Sequence, residues 1–367
     1  MRNKYKIFII NGFHLLKTLY FSGNQINYLK MKKLLILPVF TTILFFSCTK
    51  TAQDPGAGIP DLSGNLTDMP VTPNGIPFQR TCASYEVHQQ QLRDNPGLAK
   101  RMADIEALTK KITSDISTYR LVNGIYEIPV VVNVLFRTAA ENVSLAQIQS
   151  QIEVLNKDFE GTNQDISNLN STIFSTLRSG NTNIKFILDT VIRKSTTKTG
   201  WRTNDDMKRS SRGGINPTSP TTKLNMWVCT LTNGILGYAQ FPGGSSATDG
   251  VVILNTAFGN TGTATAPFNR GRTATHEVGH WLNLRHIWGD ATCGSDLVND
   301  TPTHNTANYG CPASGHRSTC SGTPVEMTMN YMDYTDDACM YMFSAGQKSR
   351  MLATFAAGGG RNSFAQP

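Results

Sequence analysis

The residues of this sequence best placed to do chemistry are three histidines and a glutamate within eleven positions, from His276 to His286. His276 and His280 are four apart, so a helix would bring both imidazoles to one face, a turn from each other. His286 comes six residues later, and Asn283 suits the turn that must bring it back, because Asn readily adopts left-handed backbone angles. Three imidazoles with an open fourth position predict a catalytic zinc ion. Glu277 then lies beside a ligand, where it can accept a proton from water.

Three of the chain's seven histidines fall within these eleven residues. A lone histidine is more often a surface or core residue than a ligand, but this concentration and spacing favour a metal site. A purely structural zinc site needs ligands and no base, so Glu277 favours catalysis. A non-catalytic zinc-binding surface lipoprotein is the alternative function.

The chain has 367 residues, enough for one or two domains, and a net charge of +8. The excess charge is confined to the first fifty residues, which contain eight Lys or Arg and no Asp or Glu. The rest of the chain has 26 basic and 26 acidic residues. A neutral remainder offers no basic surface to a polyanion, so no nucleic-acid partner is expected.

The first 48 residues form a predicted targeting region. Met31 and two lysines precede an apolar run at 34–46, which is too short for a typical membrane span and suits the core of a signal peptide. The run ends in Ser47-Cys48, similar to the lipobox of bacterial lipoproteins, in which the cysteine is lipidated and becomes the mature N-terminus. An ordinary cleaved signal is the alternative, and Met31 is a better start than Met1. Both kinds of signal predict export. A lipidated Cys48 would place the protein on the outer membrane or the cell surface through an N-terminal lipid anchor, and otherwise the protein would be secreted.

Export permits disulfides, and six cysteines remain if Cys48 is lipidated. Four of them follow the histidine segment in a region rich in Gly, Pro, Asn, Asp and Thr: Cys293, Cys311, Cys320 and Cys339. A segment with little regular structure gains stability from cross-links, but spacing alone allows three pairings. Cys229 lies in a predicted strand and is expected to be a buried free thiol.

The rest of the sequence predicts helices and strands after a tether. Residues 49–79 are rich in Gly, Pro, Thr and Asp, which predicts a flexible linker. The apolar, β-branched segment 127–136 predicts a buried strand, and a capping box at Ser144 and Gln147 predicts a helix to about Phe159. The other predicted elements are helices at 84–112, strands at 184–192, 224–231 and 249–256, an edge segment at 234–242, a helix from about Arg272, and a last helix at 344–355.

Together these residues resemble the metzincin metalloproteases. His276 to His286 matches the metzincin zinc segment, and Asn-Tyr-Met-Asp-Tyr at 330–334 matches the Met-turn. Further segments narrow the resemblance to the pappalysin family: 224–228, 237–242, 300–302 and 332–340. The match runs from about Arg80 to the C-terminus and departs from the general pattern at Asn283, where Gly is usual. The Met-turn and His286 also argue against a zinc hydrolase whose third ligand is a downstream glutamate.

The resemblance implies an α+β fold: a twisted, mixed five-stranded sheet, long helices including the zinc helix, and an irregular, disulfide-bonded C-terminal subdomain. It implies a zinc endopeptidase that acts on proteins or peptides. In such an enzyme Glu277 is the general base, Tyr334 stabilises the oxyanion and Met332 forms an apolar floor below the ligands. A packed aromatic ring beneath the site is the alternative for Tyr334. The edge segment 237–241 would pair with an extended substrate.

Three finer features are also implied by the resemblance. The implied disulfides are Cys293–Cys320 and Cys311–Cys339. The candidate calcium-binding residues, for which solvated turn residues are the alternative, are Asp296, Asn299, Asp300 and Thr301. Close relatives prefer Arg or Lys after the scissile bond, which requires an acidic pocket. Asp336 and Asp337 are the candidates, unless Ala338 occupies the decisive position.

Residues 80–118 are predicted to be a propeptide, ahead of a catalytic domain at 119–367. A thiolate is a strong zinc ligand, so Cys82 would fill the open fourth position as a cysteine switch and keep the zymogen inactive. Activation cleavage is expected between about Lys110 and Arg120, which would also separate the enzyme from its lipid anchor. The alternative for Cys82 is a third disulfide, with Cys229.

Overall fold

The computed structural model describes residues 79–114 and 124–364, all of which belong to one compact unit, Gly56–Pro367. The predicted targeting region 1–48, with Cys48, lies outside the described residues, as does all but the last residue of the predicted tether. The predicted domain boundary at 118/119 and part of the predicted cleavage window also lie outside them. Within the described ranges, no helix is long and apolar enough to cross a membrane.

Five strands form one mixed sheet, which confirms the predicted fold class. The strands are β1 (Tyr126–Phe136), β2 (Ile184–Ser195), β3 (Leu224–Cys229), β4 (Gly237–Ala239) and β5 (Val251–Leu254). Their order is β2-β1-β3-β5-β4, and all neighbours are parallel except β4, which runs antiparallel to β5. Side chains 130–135 of β1 are all buried, because this strand is interior to the sheet and both of its faces are covered. β4 is the last strand and has only one neighbour in the sheet.

β4 and β5 are shorter than the sequence predicted. The edge segment was expected at 234–242 and the following strand at 249–256. Polar side chains close the connection between the two strands: Thr248 donates to Gln240 at 2.6 Å, and Gln240 donates to Asp249 at 3.3 Å. These tertiary hydrogen bonds take the place of further strand pairing.

Five α-helices accompany the sheet. They are α1 (Ser84–Asp94), α2 (Pro96–Ser114), α3 (Leu145–Glu160), α4 (Arg272–Trp281) and α5 (Ala345–Ala353). Ser344 and Gln347 form a complete capping box at α5. Only half of the box predicted at α3 is present: Ser144 accepts the N–H of Gln147 at 3.1 Å, but Oε1 of Gln147 accepts the N–H of Thr263 at 3.1 Å and not that of Ser144. A distant donor has replaced the local one.

α4 carries the first two histidines, and all ten of its residues are buried. The helix packs against β4, β5 and α3, and Thr275 donates a hydrogen bond to Asp158 of α3 at 2.6 Å. The chain turns after α4 at Asn283, which has the left-handed φ of +72° that the sequence suggested. A Cβ at Gly279 would lie 2.5 Å from the sulfur of Met332, so glycine permits the Met-turn to approach the helix.

The segment between α4 and α5 contains no helix or extended strand. It is cross-linked by the disulfides Cys293–Cys320 and Cys311–Cys339, the pairs that the family resemblance implied. A buried polar network adds to these links: Asn308 donates to Glu326 at 2.7 Å and to Asp333 at 3.0 Å. Because Asp333 follows Met332, these contacts hold the Met-turn in place.

Candidate metal centre

Three buried imidazoles converge between α4 and the turn that follows it. Nε2 of His280 lies 3.1 Å from Nε2 of His276 and 3.1 Å from Nε2 of His286. Each opposite nitrogen is hydrogen-bonded to an oxygen: Nδ1 of His276 to the Tyr331 carbonyl at 2.7 Å, Nδ1 of His280 to the Leu284 carbonyl at 2.8 Å, and Nδ1 of His286 to the Asp290 carboxylate. The helical spacing and the turn at Asn283 therefore bring together the three residues that the sequence singled out.

This arrangement fits a zinc ion. Each Nδ1 donates its proton to an oxygen, so the lone pairs of the three Nε2 atoms point toward one another. Burial and the neighbouring imidazoles lower the pKa of His276, and the same causes lower the pKa of His280 to about 3, which keeps both rings neutral. Lone pairs at these separations repel unless a cation lies among them, and neutral imidazole is a preferred zinc ligand.

The thiol of Cys82 completes the cluster. Its sulfur and the ligand nitrogens of the three histidines all lie within 4.8 Å of one another. In residues 79–114 and 124–364, no other group of three or more His, Cys, Asp or Glu converges in this way. Cys82 and Cys229 are both buried free thiols, so the alternative disulfide between them is not formed. Burial and the nearby Glu277 carboxylate raise the pKa of Cys82.

The described residues 79–114, here called the prosegment, reach the cluster along the edge of β4. Leu236 donates its N–H to the carbonyl of Thr81 at 2.9 Å, and Ala83 donates its N–H to the carbonyl of Gly237 at 3.0 Å. Cys82 and Gly237 pair in parallel. The prosegment thus occupies the sheet edge on which an extended peptide can add as a further strand.

Glu277 faces the cluster and is bonded by two prosegment side chains. Oγ of Ser84 donates to Oε2 of Glu277 at 2.8 Å, and the Cys82 thiol donates to the same oxygen at 3.3 Å. Ser84 Oγ also accepts the N–H of Ala239 at 2.8 Å. Burial raises the pKa of Glu277 to about 7. Ser84 was not predicted, because its contact joins positions 193 residues apart and has no signal in residue spacing.

Tyr334 has the packed ring of one predicted alternative, whereas its predicted role at the oxyanion stays a prediction. Its ring packs edge-on against the rings of His286 and Trp288, with centroids 4.9 and 4.7 Å away. Its hydroxyl accepts the N–H of Cys82 at 3.2 Å and donates to the Cys82 carbonyl at 3.0 Å. The ring is therefore part of the wall of the site, while the hydroxyl is hydrogen-bonded to the backbone of the prosegment.

An acidic pocket next to the cluster holds Arg80. The guanidinium donates to Oδ1 of Asp337 at 2.5 Å, and both side chains are buried. Oδ2 of Asp337 accepts the N–H of Arg270 at 2.7 Å, which fixes the carboxylate near the start of α4. Of the predicted candidates, Asp337 thus forms the pocket, whereas Asp336 is half-buried and Ala338 is exposed. The occupant, Arg80, was not predicted.

The four candidate calcium ligands do not all bond to one another in the described structure. Thr301 donates to Asp296 at 2.9 Å. Asp300 instead accepts hydrogen bonds from the Ser344 hydroxyl at 2.6 Å and from the N–H of Gly346 at 2.7 Å, at the start of α5. The Asn299 side chain makes no hydrogen bond within the described residues. Calcium binding at this loop therefore stays a prediction.

Comparison with known proteins gives one consistent match. The family model for pregnancy-associated plasma protein-A matches residues 220–356. An extracellular metalloprotease of Verticillium alfalfae is 35% identical over 247 residues, which cover 62% of this chain and 78% of that protein.

Two solved structures match over most of their length. A promirolysin mutant from Tannerella forsythia is 42% identical with a TM-score of 0.70, covering 78% of this chain and 97% of that one. Mature mirolysin from Tannerella forsythia in complex with a cleaved peptide is 45% identical with a TM-score of 0.63, covering 66% of this chain and 96% of that one.

Proposed function

This chain belongs to the pappalysin family and is a metalloendopeptidase, and we propose that it is exported as a zymogen whose prosegment blocks a zinc site until it is cleaved. The observation that carries the proposal is the position of Cys82. Its thiol lies among three inward-facing imidazole nitrogens and against Glu277, where a zinc ligand and a substrate would otherwise be bound. A thiolate there would supply the fourth ligand to a zinc ion held by the three histidines.

His276, His280 and His286 are the proposed zinc ligands, each through Nε2. When bound, zinc polarises a peptide carbonyl and lowers the pKa of water. The hydrogen bond that each Nδ1 makes fixes the tautomer and the orientation of its ring, and so supports a site that is ready for the metal.

Glu277 is the proposed general base. Once the prosegment leaves, the hydrogen bond that Ser84 donates to Oε2 of Glu277 is lost, and the carboxylate can accept the proton of the attacking water and deliver it to the leaving amine. The Tyr334 hydroxyl loses its contacts with the Cys82 backbone at the same time. It is then free to donate a hydrogen bond to the oxyanion of the tetrahedral intermediate.

The proposed substrates are extended peptides that carry Arg or Lys directly after the scissile bond. β4 offers its free edge for strand pairing, at Leu236 and Gly237, where the prosegment now pairs. The buried pair of Arg80 and Asp337 supports the Arg or Lys preference, because the pocket already accommodates a full arginine side chain. A carboxylate that binds a guanidinium contributes strongly to selection of that side chain.

The experiment compares the precursor with the processed enzyme. We expect the processed enzyme to digest casein, the precursor to be at least severalfold slower, and a zinc chelator to abolish digestion until zinc is restored. His280→Ala is the matched variant that should lack both activity and zinc. A precursor as active as the processed enzyme would contradict the proposed latency, and chelator-resistant digestion would contradict the zinc site.

Two finer predictions concern the exported form. Lipidation of Cys48 predicts a diacylated N-terminal peptide in membrane fractions, and an unmodified Cys48 peptide would favour an ordinary cleaved signal.

Calcium binding at residues 296–301 predicts that removing calcium lowers the unfolding temperature, and that calcium restores it better than magnesium does. An unfolding temperature that is independent of calcium would rule that site out.

A further inference from the structure

Arg350 of α5 is a buried cation whose carboxylate partner comes from the prosegment. Its two terminal nitrogens donate to the two oxygens of Glu106 in α2, at 2.8 and 2.5 Å. The Arg350 side chain is only 3% exposed, and Glu106 is its one ion-pair partner in the part of the chain that the structure describes. A guanidinium stays charged at physiological pH, so this one requires an anion or water at the position of Glu106.

A second contact fixes Arg350 independently of the prosegment. Its Nε donates to the carbonyl of Asn283 at 2.7 Å. Asn283 is the turn residue that brings His286 back to the metal site, and it belongs to the wall of the cleft. Removal of the prosegment therefore takes away Glu106 but leaves the guanidinium held in position, facing the space that α2 vacates.

That space adjoins the metal centre. A cavity of about 380 Å³ lies between the prosegment helices and the wall, lined by Glu106 on one side and by Phe241 and Asn283 on the other. The ring of Phe241 lies 5.3 Å from the ring of His280, centroid to centroid. A peptide that extends along the cleft past the histidines would reach this cavity.

The wall of the cavity keeps a positive charge when the prosegment leaves. Arg285 lines it, and no ion-pair partner of Arg285 is found among the described residues. Asp290 also lines it, but its carboxylate is already bound to Nδ1 of His286. Against the single negative charge of Asp290, Arg285 and Arg350 leave one net positive charge for a ligand.

The cavity and the Asp337 pocket lie on opposite sides of the histidines along the prosegment. Arg80 fills the Asp337 pocket, Cys82 meets the histidines, and the cavity is lined by Tyr85 and His88 of α1 and by Glu106 of α2. A substrate whose basic residue occupies the Asp337 pocket after the scissile bond would therefore direct the residues before that bond toward the cavity.

We propose that Arg350 and Arg285 form an anion subsite that binds an acidic side chain, Asp or Glu, located before the scissile bond of the substrate. Glu106 occupies this subsite in the precursor, as Arg80 occupies the Asp337 pocket. The processed enzyme thus selects peptides with a charge of each sign, acidic before the cleaved bond and basic after it. This inference rests on the proposed endopeptidase function.

The test uses the processed enzyme and pairs of peptides that share an arginine after the scissile bond. Within a pair, one peptide has Glu and the other Gln at a single position before the bond, and that position is moved along the series. At one position we expect kcat/KM to be about fivefold to tenfold higher for Glu, the size expected for the difference between a charged and a neutral hydrogen-bond acceptor. Arg350→Gln should abolish the ratio and Arg350→Lys should reduce it.

Lys348→Gln is the matched control, because it removes one positive charge from the same helix at a side chain that bonds to Asn181 instead. It should keep the full Glu-to-Gln ratio. Equal rates for Glu and Gln at every position overturn the subsite while leaving the peptidase function intact, whereas no hydrolysis of any peptide overturns both. If Arg350→Gln fails to fold, a ratio unchanged in both Arg350→Lys and Arg285→Gln overturns the proposal.

Discussion

The wall of the cleft consists of the three histidines, Glu277 and the residues around them, and the prosegment is its occupant. The two are held in position in different ways. Each of the three histidines has a hydrogen-bond partner at Nδ1 that does not belong to the prosegment. His276, for example, bonds to the Tyr331 carbonyl, so its position does not depend on what fills the cleft. The occupant has few such partners: Cys82, Ser84 and Arg80 bond to the groups that catalysis and substrate binding are proposed to use. The wall is therefore preorganised, whereas the position of the occupant depends on its bonds to the wall.

This difference predicts that substitutions in the wall lower activity, whereas substitutions in the occupant release it. A substitution in the wall should lower activity in the processed enzyme, because the substrate loses a contact. A substitution in the occupant should leave the processed enzyme unchanged and shorten latency, because only the precursor loses a contact. The predictions that follow test this separation.

Glu277→Ala should have the largest effect, a loss of about 10²- to 10⁴-fold in kcat, the usual contribution of a positioned general base. Zinc content should stay at one equivalent, since Glu277 neighbours the proposed ligands without being one. The measurement pairs metal analysis with peptide hydrolysis. Glu153→Ala, at an exposed glutamate of α3, is the matched control. Full turnover by the zinc-loaded Glu277 variant would contradict the assignment, and loss of zinc would indicate a structural role.

Asp337→Asn in the processed enzyme should cost roughly thirtyfold in kcat/KM for peptides with Arg after the scissile bond, because it removes the partner of a buried charge. Peptides with an apolar residue there should be cleaved as before. Asp336→Asn, one residue away and half-buried, is the control and should leave the preference intact. Cleavage of the Arg and apolar peptides in an unchanged ratio by the Asp337 variant would show that another group selects the substrate.

The sequence was sufficient for the histidines of the wall and, in the occupant, for Cys82 but not for its other contacts. The spacing of His276, His280 and His286 and the backbone preference of Asn283 are local properties of the chain, and helical geometry converts them directly into a site. The apolar, β-branched segment 127–136 predicted a buried strand in the same way, whereas the mixed sheet was implied by the family resemblance. The disulfide pairs came from family resemblance, because spacing left three choices open.

The contacts of the occupant depend on tertiary structure. Arg80 and Asp337 are 257 positions apart, and Glu106 and Arg350 are 244 apart, so no periodicity or spacing relates them. Gln147 shows the same limit at a smaller scale, since the N–H of Thr263, 116 residues away, replaced its capping partner. Residue types indicate what a side chain can bind, but the tertiary structure determines which partner lies within its reach.

Cys82→Ala should shorten latency in the precursor. We expect self-activation at least about tenfold faster, since a loss of only about 1.4 kcal/mol of prosegment binding is a tenfold change in its equilibrium. The processed enzyme should have wild-type kcat/KM, because the substituted residue has been removed. Cys229→Ala deletes the other buried free thiol and is the control. Equal activation rates for the Cys82 variant and the wild type would refute the switch, as would a Cys82–Cys229 peptide in mass mapping.

Ser84→Ala should have the smallest effect, an activation rate about fivefold higher than that of the wild-type precursor. The substitution removes the hydrogen bond that Ser84 donates to Glu277, and the one that it accepts from Ala239, but leaves Cys82 at the metal site. A net contribution of about 0.5 kcal/mol from each of the two hydrogen bonds, the low end of the usual range, gives this magnitude. The measurement is the time course of prosegment cleavage, with Gln90→Ala on the exposed face of α1 as the control. A rate equal to that of the control would mean that Cys82 alone blocks Glu277, and that the occupant depends on the metal more than on the base.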